Sequence, residues 1–409
     1  MKEEVEKKPF GPYSTEEHDA ASYVLPDPLA KPDGGRVASA AEWSCFQRRR
    51  ILDLLKKYEY GEIVPRPDRL EFQLVSRKKG ALGGKALRKE VRVTATMADG
   101  RSHAFLMLVY IPAEHSGPVP AFAGLNFMGN HNTTIEEDVI PTGFRFPGVL
   151  FKPERALQHH RWVPETLVDR GYASATACYH DVFPDRAGGA PDSALRLFCD
   201  TEKGDPTGVK YSVIGAWAWG LSRILDYLES DPDVDGSRVA VHGHSRLGKT
   251  SLWAGAADER FKMVISNCSG CGGGALHRRK FGENLSQHFK NHLDKGYPNW
   301  FMNETEKFIW REEDLPIDQH ELLAMAAPRP LAVATATEDL AADPKGEFLA
   351  CKAASEVYRL FGSEGLPVEE MPAPDVNVSG DISFHYRTGR HDQTPQDWAH
   401  YLDLADRYL

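Results

Sequence analysis

Cysteine is scarce in this chain: six are spread over 409 residues, at positions 45, 178, 199, 268, 271 and 351. A long chain with so few cysteines is not a disulfide scaffold, because such scaffolds are short and dense in cysteine. Only Cys268 and Cys271 lie close together, and no second Cys-x-x-Cys motif accompanies them. A structural zinc site needs four such ligands, so the sequence predicts no metal site.

The chain also lacks long apolar runs and an excess of positive charge. No apolar run approaches the ~20 residues that span a bilayer, and the first residues, MKEEVEKKPFGPY, lack the apolar stretch of a signal peptide. The protein is therefore either cytoplasmic or has had a leader removed. The formal net charge is −10, whereas nucleic-acid binding requires clustered cations. We accordingly expect no membrane and no nucleic acid among its partners.

What is present is an ordinary globular composition, with 41% hydrophobic and 26% charged residues. This apolar content excludes disorder of the whole chain. Residues 1–35 are polar, with proline and glycine at intervals, and are predicted to form an N-terminal arm. Residues 36–409 show no repeat and no low-complexity linker, which predicts a single domain.

Strand and helix patterns alternate along most of the chain. Residues 39–60 have apolar side chains near helical spacing, and alternating runs at 70–76, 89–97 and 103–112 predict an antiparallel start to a sheet. The patterns that follow predict strands at 120–127, 173–180, 239–245, 261–267 and 330–336, and helices at 211–228, 247–257, 347–361 and 395–408. This order predicts one α/β domain with helices packed around a mostly parallel sheet.

Residues 243–248, Gly-His-Ser-Arg-Leu-Gly, follow an apolar strand and open a helix. A strand–turn–helix with serine at its apex is typical of the nucleophile elbow of α/β-hydrolases, where the helix N-terminus offers amide donors to an oxyanion. Gly243 permits a close approach of the turn, and Gly248 permits close packing of the helix. The strict Gly-x-Ser-x-Gly pattern is not met, because the second glycine lies one position later. A serine in an ordinary glycine-rich turn is therefore an equal alternative for Ser245.

A nucleophilic serine of this fold needs an acid and then a histidine later in the chain. His391 meets the second requirement, because it lies in a glycine-containing loop just before the last predicted helix. His385 is its rival, but the residues around it alternate like a strand and predict a core or edge histidine. Asp339 is the preferred acid because it follows the predicted strand 330–336, and its neighbour Glu338 is the alternative.

Six sequence blocks are more specific than the serine turn alone. They are LPDPLAKPDGGRVASAAEW (25–43), LNFMGNHNT (125–133), HGHSRLGKTSLWAGAADERF (242–261), SGCGGGALHRRKFGE (269–283), LPIDQHELLAMAAPRP (315–330) and EDLAADPKGEFL (338–349). Together they resemble the glucuronoyl esterases of carbohydrate esterase family 15 over most of the chain. The resemblance implies an α/β-hydrolase fold, a three-layer sandwich whose mostly parallel central sheet has an antiparallel N-terminal portion.

The same resemblance implies an activity, the hydrolysis of the ester between 4-O-methyl-glucuronic acid on xylan and lignin alcohols. The partner is then a carbohydrate ester, the protein a monomer, and its location secreted or periplasmic. No metal and no organic cofactor is implied, because a Ser-His-Asp triad activates its serine by proton transfer.

The resemblance also implies roles for single residues. Ser245 matches the family's nucleophile, His391 its catalytic base and Arg246 the arginine that helps to hold the oxyanion. A fixed guanidinium beside a tetrahedral intermediate adds positive charge to the backbone donors. Lys249, one helical turn beyond the serine, and Glu283 match residues that contact the uronate hydroxyls. A solvated surface charge is the alternative for both.

Two positions depart from the family pattern. Many relatives carry their acid just after the strand that follows the elbow, where this chain has Cys268. A neutral thiol cannot stabilise an imidazolium ion, so the triad expected here is Ser245, His391 and Asp339, the last at the family's other acid position. Ala341 replaces the tryptophan that usually packs on the sugar, which predicts weaker or altered uronate binding.

Other functions stay open at this point. Ala341 and the missing leader favour an esterase for another acylated sugar or a small ester. Cys268 is the only support for a hydrolase-like protein that binds without catalysis. Redox chemistry at Cys268 and Cys271 would require an exposed thiolate of low pKa. Relative rates on a benzyl glucuronate ester and an acetyl ester distinguish the esterase hypotheses.

Overall fold

The computed structural model describes residues 13–143, 153–201 and 203–409. Within them, one sheet is built from ten strands: β1 (Arg69–Ala81), β2 (Ala86–Thr96), β3 (Ser102–Pro112), β4 (Val119–Asn126), β5 (Ala173–Cys178), β6 (Val234–His244), β7 (Met263–Asn267), β8 (Leu331–Ala336), β9 (Asn377–Val378) and β10 (Ile382–Arg387). Their order across the sheet is β1-β2-β3-β5-β4-β6-β7-β8-β10-β9. Pairing is antiparallel from β1 to β5 and at the β9 edge, and parallel from β5 to β10.

The helices lie between and after these strands. The first, α1, is a continuous run of Ala40–Glu42, Trp43–Gln47, Arg48–Leu55 and Lys56–Tyr60. The others are α2 (His159–Trp162), α3 (Pro164–Asp169), α4 (Tyr179–Val182), α5 (Val213–Leu228), α6 (Arg246–Ala257), α7 (Leu285–Lys295), α8 (Gln319–Ala324), α9 (Pro344–Arg359) and α10 (Pro395–Tyr408). Of the helices in the described ranges, none combines the length and hydropathy that a bilayer crossing requires.

Helices cover both faces of the sheet, so the central parallel strands are buried on both sides. Strand β6 shows how alternation produces the layers. Val239 and Val241 belong to the core on one face, together with Trp217 of α5. Ala240, between them, belongs to the core on the other face, together with Trp398 of α10. The three-layer α/β arrangement predicted from the sequence is confirmed.

The predicted elements differ from the structure mainly at their ends. The antiparallel start and the central parallel strands lie where the patterns predict them. The strand predicted at 173–180 ends at Cys178, because the chain turns there into α4. His385 lies within β10 and is 2% exposed, which confirms the strand histidine of the sequence analysis. Helices α7 and α8 have no counterpart in the sequence prediction.

The described part of the predicted arm, residues 13–35, packs against the rest of the chain. Glu17 pairs with Arg279 and lies 2.6 Å from Nζ of Lys345. Leu29 is buried with the core of the sheet. Residues 1–12 lie outside the described part. The division into an arm of residues 1–35 and a single domain of residues 36–409 therefore stays a prediction.

Candidate active site

Ser245 lies at a sharp turn between β6 and α6. Its backbone φ is +59°, in the left-handed region that a residue with a side chain rarely adopts. Strain at the apex of a strand–turn–helix is a feature of the nucleophile elbow, where it exposes the serine. A Cβ on Gly243 would lie 1.9 Å from the carbonyl oxygen of Leu247. Only glycine is compatible with so close an approach.

His391 and Asp339 form a hydrogen-bonded pair near this turn. Asp339 follows the end of β8, and His391 lies in the loop between β10 and α10. Nδ1 of His391 is 2.6 Å from Oδ2 of Asp339. The Asp339 side chain is 7% exposed, whereas that of His391 is 43% exposed. A buried carboxylate that holds Nδ1 fixes the imidazole in the tautomer whose Nε2 accepts a proton.

Glu338, the alternative acid, has a different environment. Its backbone amide donates to the carbonyl oxygen of Gly389 at 2.8 Å, which joins the β8 end to the histidine loop. Its side chain is 56% exposed and lies 3.3 Å from the guanidinium of Arg390. The structure therefore brings Asp339, and not Glu338, to His391.

Cys268 directly follows β7, at the acid position of many relatives, and is 2% exposed. Burial raises the pKa of its thiol well above the usual value, and the carboxylates of Asp339, Glu347 and Asp397 add to the effect. The thiol is therefore uncharged at neutral pH and cannot act as the carboxylate of a triad. Burial raises the pKa of Cys271 as well. Neither thiol is the exposed thiolate that redox chemistry requires.

Arg246 is held by one carboxylate and two aromatic rings. Its guanidinium forms an ion pair with Asp185 and lies over Trp300 and Tyr297, 4.5 and 5.3 Å from the ring centroids. Asp185 also accepts hydrogen bonds from Nε1 of Trp300 at 2.9 Å and from the hydroxyl of Tyr179 at 3.1 Å. Burial alone would lower the pKa of the Arg246 guanidinium, but Asp185 together with Tyr179 and Tyr297 raises that pKa above its usual value. A fixed cation of this kind is suited to an oxyanion.

Lys249 is an interior residue with 3% exposure and not a surface charge. Its Nζ donates to the backbone oxygens of Ser269 at 2.5 Å and Cys271 at 2.7 Å. The same atom lies 3.6 Å from the carboxylate of Glu283. Lys249 therefore joins α6 to the loop after β7, besides contacting the carboxylate that the sequence analysis paired with it.

Glu283 lies among basic side chains, 3.5 Å from Nε2 of His288 as well as close to Lys249. Burial alone would raise the pKa of Glu283, but Lys249 and Arg246 help to hold that pKa below its usual value. Burial lowers the pKa of His288 to about 4, so its ring is neutral at neutral pH. The backbone amide of Glu283 donates to the carbonyl oxygen of Ala341 at 2.8 Å. The position of the missing tryptophan thus lies beside the backbone of Glu283.

An open cleft of about 400 Å³ brings Ser245, Arg246 and His391 to one surface. The rest of its wall consists mainly of aromatic and polar side chains, from Phe127, Met128, Gln158, Arg161, Tyr179, His180, Asp185, His244 and Tyr297. Asp339, Lys249 and Glu283 are outside this set of lining residues. A few convergent polar groups in an aromatic cleft are typical of a small-ligand site.

Asp185 is one of two site residues that the sequence did not indicate. It holds Arg246, yet 61 positions separate the two in the chain. The one available signal is its place shortly after β5, because the carboxyl ends of parallel strands meet at one edge of the sheet. His288 was missed for another reason: it lies on α7, a helix that was not predicted from the sequence.

Comparison with known proteins gives consistent matches. A family model described as glucuronyl esterase, fungi, matches residues 206–362. A carbohydrate esterase from an unknown prokaryotic organism is 39% identical, over 97% of this chain and 92% of that protein. A 4-O-methyl-glucuronoyl methylesterase from Wolfiporia cocos is 29% identical, over 83% of this chain and 72% of that protein.

Solved structures extend the likeness to the whole fold. A promiscuous esterase of carbohydrate esterase family 15 from the marine bacterial metagenome has a TM-score of 0.85 at 39% identity, covering 97% of this chain and 100% of that one. A glucuronoyl esterase from Solibacter usitatus has a TM-score of 0.87 at 38% identity, covering 95% and 99%. This chain therefore belongs to the glucuronoyl esterases of carbohydrate esterase family 15, carboxylic ester hydrolases of the α/β-hydrolase fold.

Proposed function

We propose that this chain is a serine esterase that hydrolyses esters of 4-O-methyl-glucuronic acid on xylan, with a lignin alcohol as the leaving group. The observation that carries the proposal is the 2.6 Å pair of His391 and Asp339, whose imidazole lines the same cleft as Ser245. The activity in the name of the Wolfiporia cocos relative supports glucuronate as the acid component. The enzyme is proposed to act as a monomer on a carbohydrate ester, with no cofactor, nucleic acid or membrane.

The geometry supports a two-step acyl transfer. Ser245 gives its hydroxyl proton to Nε2 of His391 as its oxygen attacks the ester carbonyl, and Asp339 stabilises the imidazolium that forms. Arg246 and the amides at the start of α6 face the oxygen on which negative charge develops. Collapse of the tetrahedral intermediate returns the proton to the departing alcohol and leaves a glucuronoyl-serine. Water, deprotonated by His391, then releases glucuronate and restores the serine hydroxyl.

Glu283 is the proposed contact for the sugar hydroxyls. An ionised carboxylate accepts two hydrogen bonds from neighbouring hydroxyls, and His288, Lys249 and Arg246 together hold the pKa of Glu283 below its usual value. Lys249 already donates to two backbone carbonyls. We therefore assign the direct hydroxyl contact to Glu283 and treat Lys249 as the residue that positions it.

A second candidate is an esterase of broader specificity. Ala341 stands beside Glu283 where the sequence analysis expects a tryptophan, so one apolar face for the sugar is missing. The marine family member at 39% identity is described as promiscuous. An intact triad without this apolar surface for the sugar would favour small esters, whose binding does not depend on contacts with a uronate.

The experiment compares kcat/KM on a benzyl glucuronate ester and on an aryl acetate. We expect the glucuronate ester to be preferred and Ser245→Ala to lose up to ~10⁶ in turnover on both substrates. Ser237→Ala, at an exposed position near the start of β6, is the matched control and should keep full activity. Wild-type turnover in Ser245→Ala would exclude the proposed nucleophile, and preference for the acetate would favour the second candidate.

Two variants distinguish a residue that binds the sugar from a residue that supports the fold. Glu283→Gln should weaken the glucuronate ester by the loss of hydroxyl hydrogen bonds, roughly 1–3 kcal/mol, and leave the aryl acetate nearly unchanged. Lys249→Ala removes two interior hydrogen bonds, so it should also lower the unfolding free energy and impair both substrates. Equal losses on both substrates for Glu283→Gln would contradict its role in sugar binding.

A further inference from the structure

The thiol of Cys268, a soft metal ligand, lies close to the proposed catalytic base His391. Sγ of Cys268, a carboxylate oxygen of Asp339 and a ring nitrogen of His391 all lie within 4.8 Å of one another. The three come from different elements, because Cys268 follows β7, Asp339 follows β8 and His391 precedes α10. Among the residues that the structure describes, no other trio of histidine, cysteine and carboxylate ligands is this close.

The donor set fits zinc. Thiolate, imidazole and carboxylate are the ligands that zinc takes from proteins, at about 2.3, 2.0 and 2.1 Å. Tetrahedral ligands at such distances are about 3.3–3.6 Å apart. The His391 and Asp339 atoms are 2.6 Å apart and must separate slightly to admit an ion. His391 is 43% exposed on a loop, which permits that movement.

The three ligands differ in their access to solvent. Cys268 and Asp339 are buried, whereas His391 lines the cleft. Three protein ligands plus a solvent-facing position is the arrangement of accessible zinc sites, in which water completes the tetrahedron. An ion that enters from the cleft meets the imidazole of His391 first, and the ligand atoms of Cys268 and Asp339 lie within 4.8 Å of it.

We propose that Cys268, Asp339 and His391 form a Zn²⁺ site whose occupation reversibly inhibits the esterase. The bound thiol gives up its proton to solvent, so the ion is held by a thiolate, a carboxylate and a neutral imidazole. A metal on the imidazole removes its lone pair, and a metal on the carboxylate removes the partner of the ring. The thiolate makes the site prefer zinc, cobalt and cadmium over magnesium and calcium.

Metal binding is tested by a signal that does not depend on activity. Titration of the whole protein with Co²⁺ should produce a thiolate-to-cobalt charge-transfer band. Addition of Zn²⁺ should then displace the cobalt and remove the band. Equilibrium dialysis should give one zinc ion per chain at this site. Cys268→Ala should abolish the band and weaken zinc binding at least tenfold. Cys45→Ala removes an exposed thiol and is the matched control that should change neither measurement.

Inhibition is tested separately, and this half rests on the proposed function. Zn²⁺ should inhibit ester hydrolysis, a chelator should restore it, and Mg²⁺ at the same concentration should have no effect. In Cys268→Ala, the zinc concentration for half-inhibition should rise at least tenfold while uninhibited turnover is retained. A normal cobalt band in Cys268→Ala, or equal inhibition of wild type and Cys268→Ala, would overturn the site. A protein that binds zinc through Cys268 but has no glucuronate activity would contradict only the proposed function.

Discussion

At the residue scale, the identity of the orienting acid gives the sharpest prediction. Asp339→Asn keeps the shape of the side chain but removes the charge that orients His391 and stabilises its imidazolium form. We expect turnover to fall by about 10⁴, the cost of the comparable change in a serine-protease triad. Glu338→Gln should cost much less, because Glu338 is exposed and pairs with Arg390. Steady-state kinetics on one ester measure both variants.

The neighbouring thiol supplies a control for this assignment. Cys268→Ala should be close to neutral for turnover, because an uncharged thiol does not orient the histidine. If Asp339→Asn keeps near-full activity while Glu338→Gln loses it, the wrong neighbour has been chosen. If both keep it, the acid lies elsewhere.

Asp185 is the second residue with a distinct prediction. Its carboxylate holds Arg246 and accepts hydrogen bonds from Trp300 and Tyr179. Asp185→Asn should leave Arg246 present but misplaced, and so reduce kcat about 10–100-fold with a smaller change in KM. Complete removal in Arg246→Ala should cost about 10²–10³, the value of one oxyanion donor.

The control for Asp185 uses another aspartate–arginine pair. Asp192→Asn removes the partner of Arg186, which is not among the residues lining the cleft, and should leave kcat unchanged. Thermal unfolding of both variants shows whether any loss of activity reflects loss of fold. A rise in KM alone for Asp185→Asn would make Arg246 a substrate clamp.

At the scale of elements, the elbow depends on how closely β6 and α6 approach. A methyl group at Gly243 would collide with the carbonyl oxygen of Leu247, so Gly243→Ala must displace the start of α6. We expect a loss of activity of at least tenfold and a lowered midpoint of thermal unfolding. Gly117→Ala introduces the same methyl into open space and should be neutral in both measurements. An active, stable Gly243→Ala would contradict the tight turn.

Periodicity and chain order predict the large elements and the chemistry at strand ends. Ser245 and Asp339 follow long apolar strands, and the order serine, acid, histidine is a property of the fold. Helices α7 and α8 escaped prediction although their caps are readable. The Asn284 side chain caps α7, and Asp318 with Glu321 forms a capping box on α8.

Two features of the site are not predictable from the sequence: how deeply a side chain is buried, and which residues far apart in the chain pair with each other. The spacing between Ser245 and Lys249 predicts a shared helix face, but not that Lys249 is buried against two carbonyl oxygens. The pairing of Asp185 with Arg246 depends on how β5 and β6 are placed in the sheet, with β4 between them. Local patterns carry no information on such crossovers.

At the scale of the whole molecule, buried carboxyl groups make stability depend on pH. Burial raises the pKa of Glu347 to about 8 and that of Glu321 also to about 8. Between the unfolded pKa of about 4.5 and the folded value, each group keeps a proton in the folded state that the unfolded chain releases. Stability should therefore fall as pH rises through this window, by up to about 1.4 kcal/mol per pH unit for each group.

Glu347→Gln tests this dependence. One carboxylate oxygen accepts hydrogen bonds from Ser269 and Gly270, and the carboxyl group also interacts with the buried Thr335. An amide reproduces the protonated acid, so the free energy of unfolding in urea should decline less between pH 5 and 8 in this variant. Glu114→Gln, on an exposed loop, should keep the wild-type slope. An unchanged slope in Glu347→Gln would place the pH dependence elsewhere.

The adjacent parallel strands β7 and β8 also bear on how the enzyme can evolve. Cys268 directly follows β7, Asp339 lies three residues beyond β8, and both reach the same histidine within 4.8 Å. A lineage could therefore acquire a glutamate at position 268 while Asp339 still functions, and lose Asp339 afterwards. The two acids together would share a proton at this distance, since like charges raise one pKa. Relocation of a catalytic group then needs only two substitutions, and neither of them passes through an ancestor without an acid.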